Sequence, residues 1–523
     1  MFDLLIKNGT VIDGSGAPMK RADVAVHDDV IVTVGDVGHS SARRTIDAEG
    51  CYVTPGFIDV TNHADTYWRL FATPTMESAL HQGITTIIGG SCGSSLAPLT
   101  GKDALRSIQK WTDVQSVNIN WLTAEEFFSA MKRQKLSANF GTLVGHNTLR
   151  RFFVGDTQRP LNQKESDAVA KMLDRALHEG ALGLSTGLVY SHARSASEQE
   201  LMTLARVVKK HGCVYATHVR DEMRDLVISI EEAIRIAQKS GVRLHIAHLK
   251  AVGSENWHLM DDALSMIETA HMSDLPVTFD VYPYTVTGSV LYVFLPLWVS
   301  EGGKTMMKER LKNAEIRSRV AKEMRQNSPD LADAIISISS LGKTLTRRRI
   351  GEIAHAQEKS VPDTVMDLLV AGDGRMIVMV EAVSERNIAK AIRNPFALIA
   401  SNGAAYTVAH ADSGETVHPR SFGAFPRALA RYVVRDHIVS WEEAIHKMSG
   451  KSAAQFGISD RGLVQEGYKA DMVVIDPKKI MDCATIEQPY HYAKGIPWVT
   501  VNGVVVVENS THNGARPGQI VRH

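Results

Sequence analysis

The sequence predicts an α/β protein: a (β/α)8 TIM barrel, a small β-sandwich formed by both termini, and an inserted subdomain. Three observations lead there. Eight short apolar runs alternate with longer stretches of helical period through the middle of the chain, the pattern of βαβ units on a parallel sheet. Both ends are β-rich and broken by Gly, Asp, Asn and Pro. More than a hundred residues separate the seventh run from the eighth, too many for a simple crossover.

Taken in order, the opening strands are LLIKNGTVID (residues 4–13), ADVAVHDD (22–29), VIVTVGD (30–36) and the segment around Ile46. Their counterparts are GLVQEGYKADMVVIDP (462–477) and IPWVTVNGVVVVEN (496–509). Residues 1–55 and 455–523 are assigned to the sandwich, and residues 56–454 to the barrel. The barrel strands are GFIDVTN from Gly56, GITTIIGG from Gly83, NFGTLVGH from Asn139 and ALGLSTGL from Ala181. VYATHV from Val214, RLHIAHL from Arg243, VTFDVYPY from Val277 and FALIASN from Phe396 complete the eight. One connecting helix announces both ends: Ser197 and Glu200 make a capping box, Leu201, Leu204 and Val208 share a face, and Gly212 stops it. A charged helical stretch at 304–327 places the inserted subdomain at residues 296–345. Its basic residues are interleaved with acids and read as a solvated face.

Composition narrows the function. The chain has 523 residues with 58 Lys plus Arg against 58 Asp plus Glu, so it lacks the basic field that nucleic acid or an anionic membrane needs. The four Cys (Cys51, Cys92, Cys213, Cys483) are far apart and form no CxxC pair, which argues against a disulfide framework. No apolar run is long enough to span a bilayer, and the opening residues show no signal-peptide pattern. The expectation is a cytoplasmic enzyme acting on a small-molecule substrate.

In a barrel of this kind, chemistry collects where strands run out into their following loops. Those ends read Thr61 and His63, Cys92, His146, Tyr190, His218, His248, Tyr282 and Asn402. A lone buried Cys is ordinarily a small apolar filler, and a lone His a satisfied core residue. Three together are different. Cys92, His218 and His248 offer one thiolate and two imidazoles, a set that suits Zn2+ with one position open to a reactant. His245, odd in parity with His248, is expected to face the helices as packing. Arg220 and Glu222, just past His218, read either as a pair orienting the ligands or as a loop salt bridge.

These residues resemble the D-aminoacylase (N-acyl-D-amino-acid deacylase) family of the amidohydrolase superfamily. The resemblance runs nearly the length of the chain: VTPGFIDVTNHAD, GSCGSSLAP, GHNTLR, GALGLSTGLVY, THVRDE, HIAHLK, VYPYT, HPRSFGAFPR and GARPGQIVR all contribute. It implies a zinc-dependent barrel plus a split β-sandwich. The tight zinc site falls on Cys92, His218 and His248, with Cys92 in the bridging place. Contacts to a substrate carboxylate fall on Lys250, Tyr190, Tyr282 or Tyr284, and Arg420, whose fork also suits a carboxylate on physical grounds.

Two positions depart from the family pattern. Where it has His-x-His after strand one, this chain has Thr61-Asn62-His63, so one zinc ion per chain is expected. Where it has Ser-Asp-Gly after strand eight, with the Asp as general base, this chain has Ser401-Asn402-Gly403. An amide accepts no proton, although Asn402 can still orient water or polarise a carbonyl. His63, Asp65 and His410 are the candidates for the missing base, with Asp412 and His418 on the same long loop as His410. The leading reading is a zinc amidohydrolase in which zinc-bound water cleaves an N-acyl bond, that of an N-acyl-D-amino acid or related compound. The alternative is a zinc enzyme of non-hydrolytic chemistry (acyl transfer, cyclisation, elimination or C–C bond chemistry) on a specialised metabolite. A third reading, a non-enzymatic binding member, sits poorly with the intact ligand trio.

Overall fold

The computed structural model describes residues 1–99, 119–155, 157–190 and 192–523. Eight parallel strands follow one another around a ring. Phe57–Asp59 lies beside Ile84–Gly89, then come Asn139–Thr142, Gly183–Gly187, Val214–His218, Arg243–Ile246, Val277–Val281 and Ala397–Ile399. The third strand breaks after Thr142, and its continuation Val144–Gly145 carries the pairing on to Gly183–Gly187. The ring closes just beyond the first and eighth strands: the Asn402 amide donates to Thr61 O at 2.9 Å, and the His63 amide to Gly403 O at 2.8 Å.

Alternation along each strand sorts the apolar residues into two cores. Phe57, Ile87, Phe140, Leu184, Tyr215, Leu244, Ile246 and Phe279 pack outward among the helices. Ile58, Val60, Ile88, Val214, Ala216, Leu398 and Ala400 fill the interior, where Phe456, Ile458 and Val521 plug the floor. The helix Glu198–Lys210 buries Leu201, Leu204 and Val208, and the Ser197 side chain accepts the Glu200 amide at 3.2 Å. Only that half of the expected capping box forms. The Glu200 carboxylate turns instead to buried His146 at 2.8 Å and to Arg150 at 3.2 Å. A buried guanidinium and a buried imidazole win over a solvated backbone amide, because a buried polar group left unpaired costs more.

Strands from the two ends of the chain share one sheet. Its order is Thr511–His512, Val504–Glu508, Trp498–Val501, Met472–Ile475, Tyr52–Pro55, Thr10–Val11 and Lys20–Arg21. A four-stranded sheet of residues 2–47 packs on it through Leu4, Ile6, Val24, Val26, Val53, Met472 and Val474. The insertion is larger than the expected 296–345. Its sheet joins Val286–Val290, Met376–Glu381 and Ile335–Ser339, and its own apolar cluster takes in Leu291, Val320, Val365 and Val378. Sequence pattern caught the charged helices of the insertion and missed its flanking strands, which resemble barrel strands. Among the described residues, no helix is long and apolar enough to cross a membrane.

Candidate metal centre

Three strand ends deliver Cys92, His218 and His248 to one point. Each is buried, and their ligating atoms all lie within 4.8 Å of one another. Cys92 Sγ is 3.3 Å from His248 Nε2, and the two imidazoles meet edge to face at 4.3 Å. Backbone geometry turns them inward: Cys92 has φ +53° and His248 φ +39°, while Asn402 across the mouth has φ +47°. Left-handed backbone is strained for Cys and His and is characteristic of functional sites.

The charges around the trio are ordered by the half-buried carboxylate of Glu222. Glu222 Oε1 is 3.0 Å from His248 Nδ1 and 3.6 Å from His218 Nε2, and it also pairs with the Lys250 ammonium. Lys250 Nζ lies 3.2 Å from its His248 O acceptor. Burial by itself would raise Glu222, but Lys250, His218 and His248 hold it well below the usual carboxylate range. Burial likewise opposes the Cys92 thiolate, and the His248 charge together with the surrounding imidazoles of His218, His248 and His63 holds it well below the usual thiol range. Burial pushes His218 down, favouring a neutral imidazole. Neither of its ring nitrogens makes a hydrogen bond of good geometry. One ready thiolate and a buried imidazole without hydrogen bonds fit a zinc ion, which takes three protein donors and leaves a fourth position for a reactant.

Two expectations nearby are corrected. Arg220 does not pair with Glu222; its guanidinium meets Glu232 at 2.8 and 2.9 Å. His245 does not face the helices: its ring lies 5.1 Å from Phe456 of the barrel floor, and its Nε2 is 2.9 Å from Asp280 Oδ2. The left-handed residue His248 resets the alternation, so parity counted from it fails. Asp280 also accepts the Thr61 hydroxyl at 2.6 Å and the His248 amide at 2.9 Å. It was overlooked in the sequence, where an acid inside the apolar run VTFDVYPY was the available signal.

The base candidates separate clearly. His63 Nε2 lies 2.8 Å from Asn402 Oδ1 and 4.0 Å from Cys92 Sγ, so it belongs to the centre. Asp65 is buried and raised to about 6 by that burial, but its oxygens accept the backbone amides of Gly90 at 2.7 Å and Thr66 at 2.8 Å. It braces the loop that leads to Cys92. His410 lies 3.2 Å from Arg69 and 2.9 Å from Glu415, with its ring against Tyr406, and contacts none of the trio. Asp412 is exposed, and His418 is committed to the Val286 carbonyl and the Arg420 amide.

The expected carboxylate contacts fare unevenly. Tyr190 sits beside His218 at 5.5 Å between ring centres. Lys250 is already neutralised by Glu222. The Tyr282 hydroxyl donates to Thr287, and its ring carries the Arg420 guanidinium at 4.9 Å. Tyr284 packs under Arg427 at 4.8 Å. Arg420 shares a cavity with Asn402 and is 7% exposed, with Nε and Nη1 lacking hydrogen-bond partners.

The chain resembles known proteins over nearly its whole length. Residues 44–507 match the amidohydrolase family. A D-aminoacylase of Alcaligenes xylosoxydans is 33% identical over 99% of this chain and 97% of its own. The N-acyl-D-aspartate deacylase of the same organism is 31% identical over 99% and 95%. The solved N-acyl-D-glutamate deacylase of Bordetella bronchiseptica, bound to zinc and a phosphonate inhibitor, superposes with a TM-score of 0.85 at 29% identity, each chain covered in full.

Proposed function

Since this chain belongs to the amidohydrolase family, and to its D-aminoacylase branch, we propose that it is a zinc-dependent hydrolase of N-acyl amino acids. The observation that carries the reading is the convergence of Cys92, His218 and His248 within 4.8 Å. These three would hold the ion, which when bound would polarise the acyl carbonyl and activate water. One ion per chain is proposed, because Thr61 and Asn402 offer neither an imidazole nor a carboxylate for a second.

The rest falls to the chain's own groups. With Asn402 Oδ1 facing the ring, His63 Nε2 carries a proton, and the amide fixes that tautomer and ring orientation. His63 is assigned the proton-handling role, since neither Asp65 nor His410 reaches the centre. Glu222 Oε1 stands 3.0 Å from His248 Nδ1, where Lys250 Nζ also lies at 3.0 Å, and these neighbours orient the ring with Nε2 toward Cys92. The inserted sheet covers the centre and excludes water, which strengthens each of these contacts.

The test is release of free amine from a panel of N-acyl-D-amino acids by zinc-loaded protein, with metal-free protein and Cys92→Ser as controls. Stoichiometric zinc with no cleavage anywhere in the panel would refute the reading. A second reading, non-hydrolytic zinc chemistry on a specialised metabolite, is favoured by Asn402 in the place of a carboxylate base. Labelled water separates the two: hydrolysis puts one of its oxygens into the acid product, and the second reading puts none.

A further inference from the structure

The cavity beside Asn402 is walled in part by Tyr67, from the loop after the first barrel strand, and by Tyr406 and Val417, from the long loop after the eighth. One cation ties these two loops together. Arg69 Nε donates to Tyr67 O at 2.9 Å, its guanidinium lies 5.3 Å from the centre of the Tyr406 ring, and its Nη1 is 3.2 Å from His410 Nδ1. Local chain reversal completes the arrangement. Residues Val408–Ser413 make a short 3-10 helix, Gly414 ends it at φ +78°, and Glu415 Oε2 comes back to 2.9 Å from His410 Nε2. Glycine takes that left-handed step without strain.

An arginine only donates, so Nδ1 of His410 must be the accepting nitrogen, and Nε2 carries the hydrogen given to Glu415. That hydrogen bond, ahead of every other contact, keeps Glu415 below the ordinary carboxylate range and so keeps it an acceptor. A neutral imidazole of this one tautomer satisfies both partners. A proton added at Nδ1 would set N–H against N–H, and charge against charge, at Arg69. The other groups facing the ring are Tyr406 at 4.8 Å and Tyr490 at 6.2 Å between ring centres, and burial keeps both phenols protonated. Lys343 acts on Glu415 and Arg347 on Tyr490, both from the insertion. Elsewhere the loop is held by contacts that need no imidazole: the Thr416 amide donates to Ser337 O at 3.1 Å, and the Tyr490 hydroxyl to Glu415 O at 2.9 Å.

We propose that Arg69, His410 and Glu415 form a latch that fixes the loop after strand eight against the loop after strand one, and that the latch is shut only while His410 is neutral. Acid therefore opens it. His410 is a positioning residue, since it lines no part of the cavity and acts through Arg69 on Tyr67 and Tyr406. Its effect on turnover, unlike the latch itself, rests on the amide hydrolysis proposed above.

Hydrogen exchange of zinc-loaded protein, read as protection factors of peptides covering residues 404–417, tests the latch at about pH 7.5 and about pH 5.5, either side of the usual imidazole range. Wild type is expected to lose at least about fivefold in protection at the lower pH, the worth of one net hydrogen bond. His410→Gln, whose amide offers one acceptor and one donor and does not titrate there, should abolish that loss. Arg69→Met should lower protection at neutral pH and show no further loss in acid. Wild-type protection that changes less than about twofold overturns the latch, as does an acid loss that persists in either variant, or an Arg69→Met loop as protected as wild type. For an N-acyl-D-amino acid that is cleaved, the wild-type KM should rise at least about fivefold more than that of His410→Gln over the same step, with kcat of the two moving together. A divergence confined to kcat overturns the positioning role. If nothing is cleaved, the exchange result still decides the latch and only the proposed activity falls.

Discussion

Glu222→Gln gives the sharpest test of how the centre is held. The substitution keeps shape and removes charge. Lys250 is 6% exposed and Glu222 15%, so the variant leaves an ammonium almost wholly buried without its partner. Removing one member of a buried pair costs about 3–5 kcal/mol, and the residual exposure of Glu222 places the expected loss near the lower figure. The same change replaces the charged neighbour of His248 Nδ1 by a neutral one, and such outer contacts are worth about 10–100-fold in metal affinity. Denaturant unfolding of metal-free protein reads the first quantity, and zinc competition against a chromophoric chelator reads the second. The double variant Glu222→Gln with Lys250→Met removes both charges and should recover most of the stability but little of the zinc affinity. A single variant that unfolds with wild type to within about 0.5 kcal/mol, and holds zinc within twofold, would refute the pairing as described.

Other outcomes follow from the same geometry. Cys92→Ser should lose stoichiometric zinc on dialysis, since a serine hydroxyl is a far poorer zinc donor than a thiolate; metal analysis decides it. Asn402→Asp places a carboxylate 2.8 Å from His63 Nε2, and turnover should rise by about tenfold or more if proton transfer limits the rate; an unchanged rate would leave that role to His63 alone. Asp280→Asn should cost about 2–3 kcal/mol by weakening the contacts to His245, Thr61 and the His248 amide, seen as a lowered melting temperature. Val521→Asp puts a carboxyl group into the apolar floor of the barrel, and should lower the melting temperature by several degrees or prevent folding.

Much of this was legible in one dimension. Strand–helix alternation is a local pattern, so all eight barrel strands could be located from the chain alone, as could the face of the helix Glu198–Lys210. The convergence of Cys92, His218 and His248 was legible for a related reason: a strand end fixes where its next side chains go, and Cys, His and His at three such ends mark a shared point. The family resemblance singled out the positions of Thr61 and Asn402 as altered.

Tertiary structure decided the partners. Sequence places Glu200, Glu222 and Asp280 but cannot rank the cations and amides that compete for each carboxylate, because those competitors arrive from other strands. Glu200 chose His146 and Arg150 over its own helix cap, Glu222 chose His248 and Lys250 over Arg220, and Asp280 joined three segments. Left-handed backbone at His248 inverted the expected facing of His245, a one-residue event that periodicity cannot register. The free energy of a buried charge depends on what surrounds it in space, whereas a strand or helix depends first on its own residues. The chain by itself therefore determined the frame and which side chains gather at the strand ends, and only the folded chain determined which charges meet and which cation, Arg420, is left facing the cavity.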